Sequence, residues 1–322
     1  MKSIAFIIPY FGHFPNYFDK WLLSCKYNPT IDWILFTDSR EEYDYPSNVH
    51  VNFCTFKSLA ERVQSKFDFP ISLEKPYKIC DYRPAYGYIF SEELKNYDFW
   101  GYCDVDLIWG NFRKFVTDDL LEKYDRLGMR GHCSLLKNKK ELNELFMKEV
   151  KGVPNFHKVF SSSLSFCFDE IYGFNKYFQE YNYIATKLPN VFDVNFKFKG
   201  FTPVSGLFVN QITPLSSFVY NSGELICYYM NEDENINMKE LLYAHFQKRN
   251  MKSEVSVNTT HYSIIPNSFI AFNADRSSSY KNEMRDVRFE YYKLYYNLIV
   301  REIKGAQRFY HYNYPWIHKI WK

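Results

Sequence analysis

The chain has 322 residues, long enough for one large domain or for a domain with an appendage. A hydrophobic share of 46%, a charged share of 24% and a net charge of only +3 fit a soluble globular protein and argue against a dedicated nucleic-acid binder. The aromatic share of 20% suits stacking on sugars or bases, but an AT-rich genome, which raises Asn, Lys, Ile, Phe and Tyr together, is the better account of most of these rings.

In chain order, Ser3 to Pro9 is a continuous apolar run, the pattern of a strand covered on both faces. Asn16 to Lys26 sets Tyr17, Phe18, Trp21, Leu22 and Cys25 at helical spacing. Trp33 to Thr37 predicts a second buried strand, ending in Asp38, and Val49 to Phe53 a third. Leu59 to Phe67 and Ala85 to Leu94 read as helices, and Phe99 to Cys103 as the next strand. This alternation implies a mostly parallel α/β sheet flanked by helices. Beyond it, Leu135 starts a short strand or turn. Helices are expected over Glu141 to Val150 and over Asp169 to Tyr181. From Val191 to Phe272 come many short β-like runs, and a long aromatic helix is expected over about Lys281 to Ile303. The division implied is a catalytic domain over 1–275 and a helical extension over 276–322.

Seven cysteines, with no Cys-x-x-Cys and several inside apolar runs, read as free thiols of a reducing cytoplasm. The first apolar run is too short for a signal peptide, and no stretch reaches the length that spans a bilayer. The expected location is the cytoplasm.

The most informative stretch is Phe99 to Gly110, where Asp104 and Asp106 interrupt an otherwise apolar run. On a strand, both would face one side while Val105 points into the packing behind them. Two carboxylates on one side repel unless a cation sits between them, and Mn²⁺ or Mg²⁺ prefers oxygen ligands. Ligands of open α/β sheets collect at the carboxyl ends of the strands, so the pair reads as a metal site for a diphosphate. The bland alternative is a solvated pair at a strand end.

Other candidates carry two readings each. Asp38, on the same sheet edge as Pro9 and Tyr10, suits a nucleotide base or ribose, or simply starts a turn. Neither a Walker sequence nor G-x-G-x-x-G occurs, so basic side chains would share the diphosphate with the metal. Lys78 and Arg83 are candidates, with Asp81 orienting one of them, or the three form a helix-entry salt-bridge cluster. His245 is a metal ligand or a core histidine, and Lys248 and Arg249 behind it suit a leaving phosphate. Asp169 and Glu170 are a general base toward an acceptor hydroxyl, or acids at a helix start. From Arg285 onward, eight basic and three acidic residues are interleaved with eleven aromatics. That mixture suits an anionic membrane interface, or an amphipathic helix closing the domain.

In the order of Ile4–Pro9, Asp38, the Lys78–Arg83 cluster, Cys103-Asp104-Val105-Asp106 and His245, the chain resembles the nucleotide-sugar-dependent glycosyltransferases of the GT-A fold. It looks most like bacterial members from capsule and lipopolysaccharide gene clusters, over roughly residues 1 to 250. The resemblance implies a Rossmann-like GT-A domain in which Asp104, Asp106 and His245 bind Mn²⁺ or Mg²⁺. That ion would hold the diphosphate of a UDP-sugar. A hexose such as galactose would pass to a glycan or lipid-linked glycan, with peripheral contact to the inner membrane through 276–322. Retaining members carry H-x-x-G-x-x-K-P-W; here His245-Phe246-Gln247-Lys248-Arg249 lacks the glycine and its lysine comes early. Inverting members carry W-G-x-E-D; Phe168-Asp169-Glu170 stands at a suitable distance without the tryptophan, a slight lean to inversion. A non-catalytic glycan-binding module is the alternative from outside enzymology.

Overall fold

The computed structural model describes residues 1–272 except 171, 197–199, 205–215, 231–234 and 248. The extension over 276–322, its aromatic helix and Lys248 therefore lie outside the described residues.

Strands β1 (Ile4–Pro9), β2 (Ile31–Thr37), β3 (Val49–Phe53) and β4 (Phe99–Cys103) lie parallel in the order β3-β2-β1-β4. The apolar runs of β1, β2 and β4 do not alternate because both faces are covered, whereas β3, at the sheet edge, alternates and is partly exposed. On one face Phe18, Trp21, Leu22 and Cys25 of helix α1 (Phe18–Lys26) pack with Phe6, Trp33 and Leu35. On the other, Leu59 and Val63 of helix α2 (Phe56–Gln64) and the 3₁₀ turns of Pro76–Ala85 cover Ala5, Ile7, Ile34 and Phe36.

After β4 the chain leaves the sheet as β5 (Leu107–Trp109) and returns as β6 (Arg126–Arg130) and β7 (Cys133–Lys137). β7 runs antiparallel to both β4 and β6, and β8 (Ala185–Thr186) pairs parallel with β6. The seven-stranded order is thus β3-β2-β1-β4-β7-β6-β8, a mixed, mostly parallel sheet.

The later chain forms β9 (Val191–Asp193), β10 (Ser216–Asn221), β11 (Glu224–Met230), β12 (Ile236–Glu240) and β13 (Tyr243–His245). Strands β14 (Lys252–Ser253), β15 (His261–Ile265) and β16 (Ser268–Ala271) complete it. Six of these form a second sheet, β12-β11-β10-β15-β16-β14, whose core includes Phe218, Tyr220, Tyr262 and Phe269. The other two, β9 and β13, join β5 in a three-stranded sheet ordered β5-β13-β9. This small sheet links the two large ones, since Ile108 and Ala244 pack into the second sheet's core while Leu107, Trp109 and Tyr243 pack into the first.

Two expectations are corrected and one strand is added. Glu141 to Val150 is not one helix but a helical turn at Lys140–Asn143 followed by a 3₁₀ turn at Leu145–Met147. The later helix spans Asn175–Glu180, and Asp169 lies in the turn before it. There the chain folds back so tightly that the Phe174 N–H donates to the Phe168 carbonyl at 2.7 Å, and a Cβ on Gly173 would stand 2.3 Å from that oxygen. Strand β6 was not anticipated, because its RLGMR sequence carries two arginines and a glycine. All seven cysteines are free thiols, and among the described residues no helix is long and apolar enough to cross a membrane.

Gly101 sits where β1, β4 and β7 press together: an added Cβ would lie 2.4 Å from the Ser134 carbonyl oxygen and 2.7 Å from the Phe6 ring. Gly101→Ala should therefore cost about 1–3 kcal/mol by overpacking. Urea unfolding reads this as a lower midpoint at unchanged slope.

Candidate functional site

Strand order reverses between β1 and β4, and a cleft of about 730 Å³ opens at their carboxyl ends. Pro9 and Tyr10 leave β1 along one wall, and Asp104, Val105 and Asp106 follow β4 along the next. The β6–β7 turn adds Arg130, Gly131 and His132; Asp193 and His245 come from the ends of β9 and β13.

The two aspartates do face one side, by a different route from alternation along a strand. β4 ends at Cys103, and a bend from Asp104 to Asp106 leads into β5. The Asp104 N–H donates to the His132 carbonyl at 2.9 Å, and buried Val105 anchors the bend in the core. The Asp106 carbonyl accepts the Phe246 N–H at 2.9 Å, and β13 pairs His245 with Leu107 on one side and Asp193 on the other. Backbone pairing thus drives three distant segments onto one point. The Nε2 atom of His245 stands 3.2 Å from Asp106 Oδ1 and 3.8 Å from Asp104 Oδ2, and its Nδ1 is 2.8 Å from Asp193 Oδ1.

Burial alone would discharge the His245 imidazole, but Asp106, Asp193 and Asp104 outweigh it and raise its pKa to about 10. Burial would raise Asp193, yet the hydrogen bond and charge of His245 and the Gln247 hydrogen bond bring it down to about 2. His132 stacks on His245 at 4.2 Å; burial and that neighbour lower it to about 3, so this ring is neutral. Asp104 is raised by burial and by Asp106, against the pull of Arg83.

One oxygen each from Asp104 and Asp106 and one nitrogen of His245 lie within 4.8 Å of one another. Two carboxylates and an imidazole suit a divalent ion of the Mn²⁺ or Mg²⁺ type. In that arrangement Asp193 is the carboxylate that takes the other imidazole N–H and fixes the ring. His132, Asp193 and His245 form a second close group. Its Asp193 is already engaged at both oxygens: Oδ1 by His245 and by Gln247 at 2.7 Å, and Oδ2 by Arg130 at 3.0 Å.

The Arg83 guanidinium bridges the two acidic sides of the cleft. Its Nη2 makes a short bond to Asp104 Oδ1, while Nη1 bonds Asp169 Oδ2 at 3.0 Å and the Gly131 carbonyl. Burial raises the Asp169 pKa to about 6 against the pull of Arg83, with Glu170 adding to the rise. Both acids crowd Gly131, whose missing Cβ would lie 2.6 Å from Asp169 Oδ2 and 2.6 Å from Glu170 Oε1.

Several expected residues are not brought to the cleft. Lys78 is buried, its ammonium taken by Asp81 at 2.9 Å and by the Val159 and Leu164 carbonyls. Asp81 also accepts the Phe166 and Phe168 N–H groups, so this pair anchors the 166–168 segment. Asp38 accepts the Gly12 N–H at 2.9 Å and tethers the loop after β1. Arg249 holds the Asn195 and Gly200 carbonyls and Asn267 Oδ1. In turn Asp193, Arg130 and His132 were not foreseen. A usable signal was Val191-Phe192-Asp193, an acid closing an apolar run just as Asp104 does.

A mixed α/β protein with an acid–imidazole cluster at the switch point of its sheet is the class that fold and cleft define. Within it, the chain belongs to the family described as "Family of unknown function (DUF6625)", whose model matches residues 6–273. A comparison with curated proteins finds no match.

With its pKa raised from 6.5 to about 10 in the folded state, His245 contributes stability that is complete below pH 6.5 and fades as pH climbs toward 10. The metal-free protein should thus become less stable between pH 7 and 9.5 in denaturant titrations. His245→Gln should be less stable at pH 7 and lack most of that slope.

Proposed function

We propose that this chain is a metal-dependent glycosyltransferase of the GT-A fold that moves a hexose, galactose being one choice, from a UDP-sugar to a hydroxyl of a surface polysaccharide or lipopolysaccharide glycan. The observation that carries this reading is the convergence of Asp104, Asp106 and His245 at the mouth of the β1–β4 switch point. A divalent ion held there would neutralise the charge that builds on a departing diphosphate.

The protein's own groups then have separable tasks. Asp104 and Asp106 supply oxygens, Asp193 orients the His245 ring, and Arg83 holds Asp104 so that its second oxygen faces the ion. Pro9 and Tyr10 border the nucleotide side. Across the cleft, Asp169 is tied to Arg83, so Glu170, half-buried on the same wall, is the base for the acceptor proton in an inverting transfer. Tyr77 and Phe196 line the cleft with 66% and 65% of their surfaces exposed, offering apolar faces to a pyranose ring. A pure glycan-binding module would use those rings and leave the buried acid–imidazole cluster a structural role alone. A retaining transferase would use the same cluster without the base. The proposed acceptor is a cytoplasmic glycan or lipid-linked glycan, with the basic and aromatic 276–322 segment at the inner membrane.

Thermal-shift titration with UDP, UDP-galactose and UDP-glucose, with and without Mn²⁺, is the direct test. Stabilisation is expected only when nucleotide and metal are both present. Asp106→Asn should cut metal-dependent UDP-sugar turnover by about 10³-fold, the size of several kcal/mol of lost charge neutralisation. Unchanged turnover, or an equal shift without metal, contradicts the reading.

A further inference from the structure

A departing diphosphate carries more negative charge than one divalent ion neutralises, so a cation of the protein should face the cleft beside the acid–imidazole cluster. Lys78 and Arg249 do not line the cleft. Among the described residues two guanidinium groups do, those of Arg83 and Arg130. The Arg83 fork is spent on Asp104, Asp169 and the Gly131 carbonyl, with only 13% of the side chain exposed. Arg130 bonds Asp193 through Nη1 alone, and 34% of its side chain is open to solvent.

The backbone explains how an arginine on this strand comes to face the cleft. Arg126 and Leu127 pair with Leu136 and Leu135, but Arg130 pairs with Cys133, so β6 holds one residue more than β7 between these points. Gly128, at φ +87°, lies in that interval, and a Cβ there would meet the Cys133 carbonyl at 2.5 Å. Such a bulge transfers every later side chain to the opposite face. Arg126 stays buried against Phe174 and Phe178, while Arg130 emerges beside Asp193. There it stands one side chain away from His245, because Asp193 contacts both.

We infer that Arg130 is the protein's cation for a diphosphate group, gripping it through the donors that Asp193 leaves open while the acid–imidazole cluster holds the metal. The inference rests on the metal-site reading above and names the residue that reading lacks.

The test is calorimetric binding of inorganic pyrophosphate, with and without Mn²⁺, and of Mn²⁺ alone, to the full chain and two variants. Wild type should bind pyrophosphate in the presence of Mn²⁺. Arg130→Ala should bind it about 10- to 100-fold more weakly, the loss of a charge-assisted contact, with Mn²⁺ affinity within about twofold of wild type. Arg130→Lys keeps the charge without the fork and should fall between the two, which preserves the test if the alanine variant folds poorly. Equal pyrophosphate affinity in wild type and both variants overturns the assignment. So does a parallel loss of Mn²⁺ affinity, which would make Arg130 only a counterion for Asp193. If wild type binds Mn²⁺ and no pyrophosphate, the phosphate role falls and the metal site survives; if it binds neither, the metal reading falls as well.

Discussion

One imidazole shared among three carboxylates is the interaction on which this architecture turns. Asp104 and Asp106 approach His245 from the bend after β4, and Asp193 approaches it from the end of β9. A buried charge that loses its partner is worth several kcal/mol in the wrong direction. The backbone pairing of β5, β9 and β13 brings these groups together, and the same strands join the seven-stranded sheet to the six-stranded one. The acid–imidazole cluster therefore sits at the junction of the two large sheets.

Arg83 divides the remaining electrostatics. On one side it fixes the first aspartate of the pair, and on the other it neutralises Asp169, leaving Glu170 as the more accessible acid. Through the Gly131 carbonyl it also grips the β6–β7 turn that carries Arg130 and His132. A side chain buried this deeply acts as a brace across the cleft floor. The open side of the cavity is left to groups such as Arg130 that keep donors in reserve.

How far the sequence alone reached follows from which forces are local. Strands β1, β2 and β4 were legible because both-face burial writes continuous apolar runs and the edge strand β3 because its apolar residues alternate; Val49 to Phe53 and Phe99 to Cys103 match residue for residue. The aspartate pair was legible because charge inside such a run demands a partner. Asp193 was not singled out, since its importance comes from pairing with His245, 52 residues later. Lys78 looked available for a ligand because its satisfaction comes from the carbonyls of Val159 and Leu164, far along the chain. Arg130 was hidden for a subtler reason: a strand's alternation rule breaks at a bulge, and only the register with β7 reveals it.

The three-stranded sheet has a consequence for biosynthesis. Its members come from the first third, the middle and the last quarter of the chain, so the parallel sheet has its main strands in hand long before the cluster can close. A ribosome-bound chain shorter than about 245 residues holds Asp104 and Asp106 without the ring that reconciles them. During that interval Arg83, already made, is the partner available to Asp104, while the Asp106 and Asp193 contacts to the imidazole wait for the last strand. Late arrival of a single histidine thus completes the junction between the two sheets.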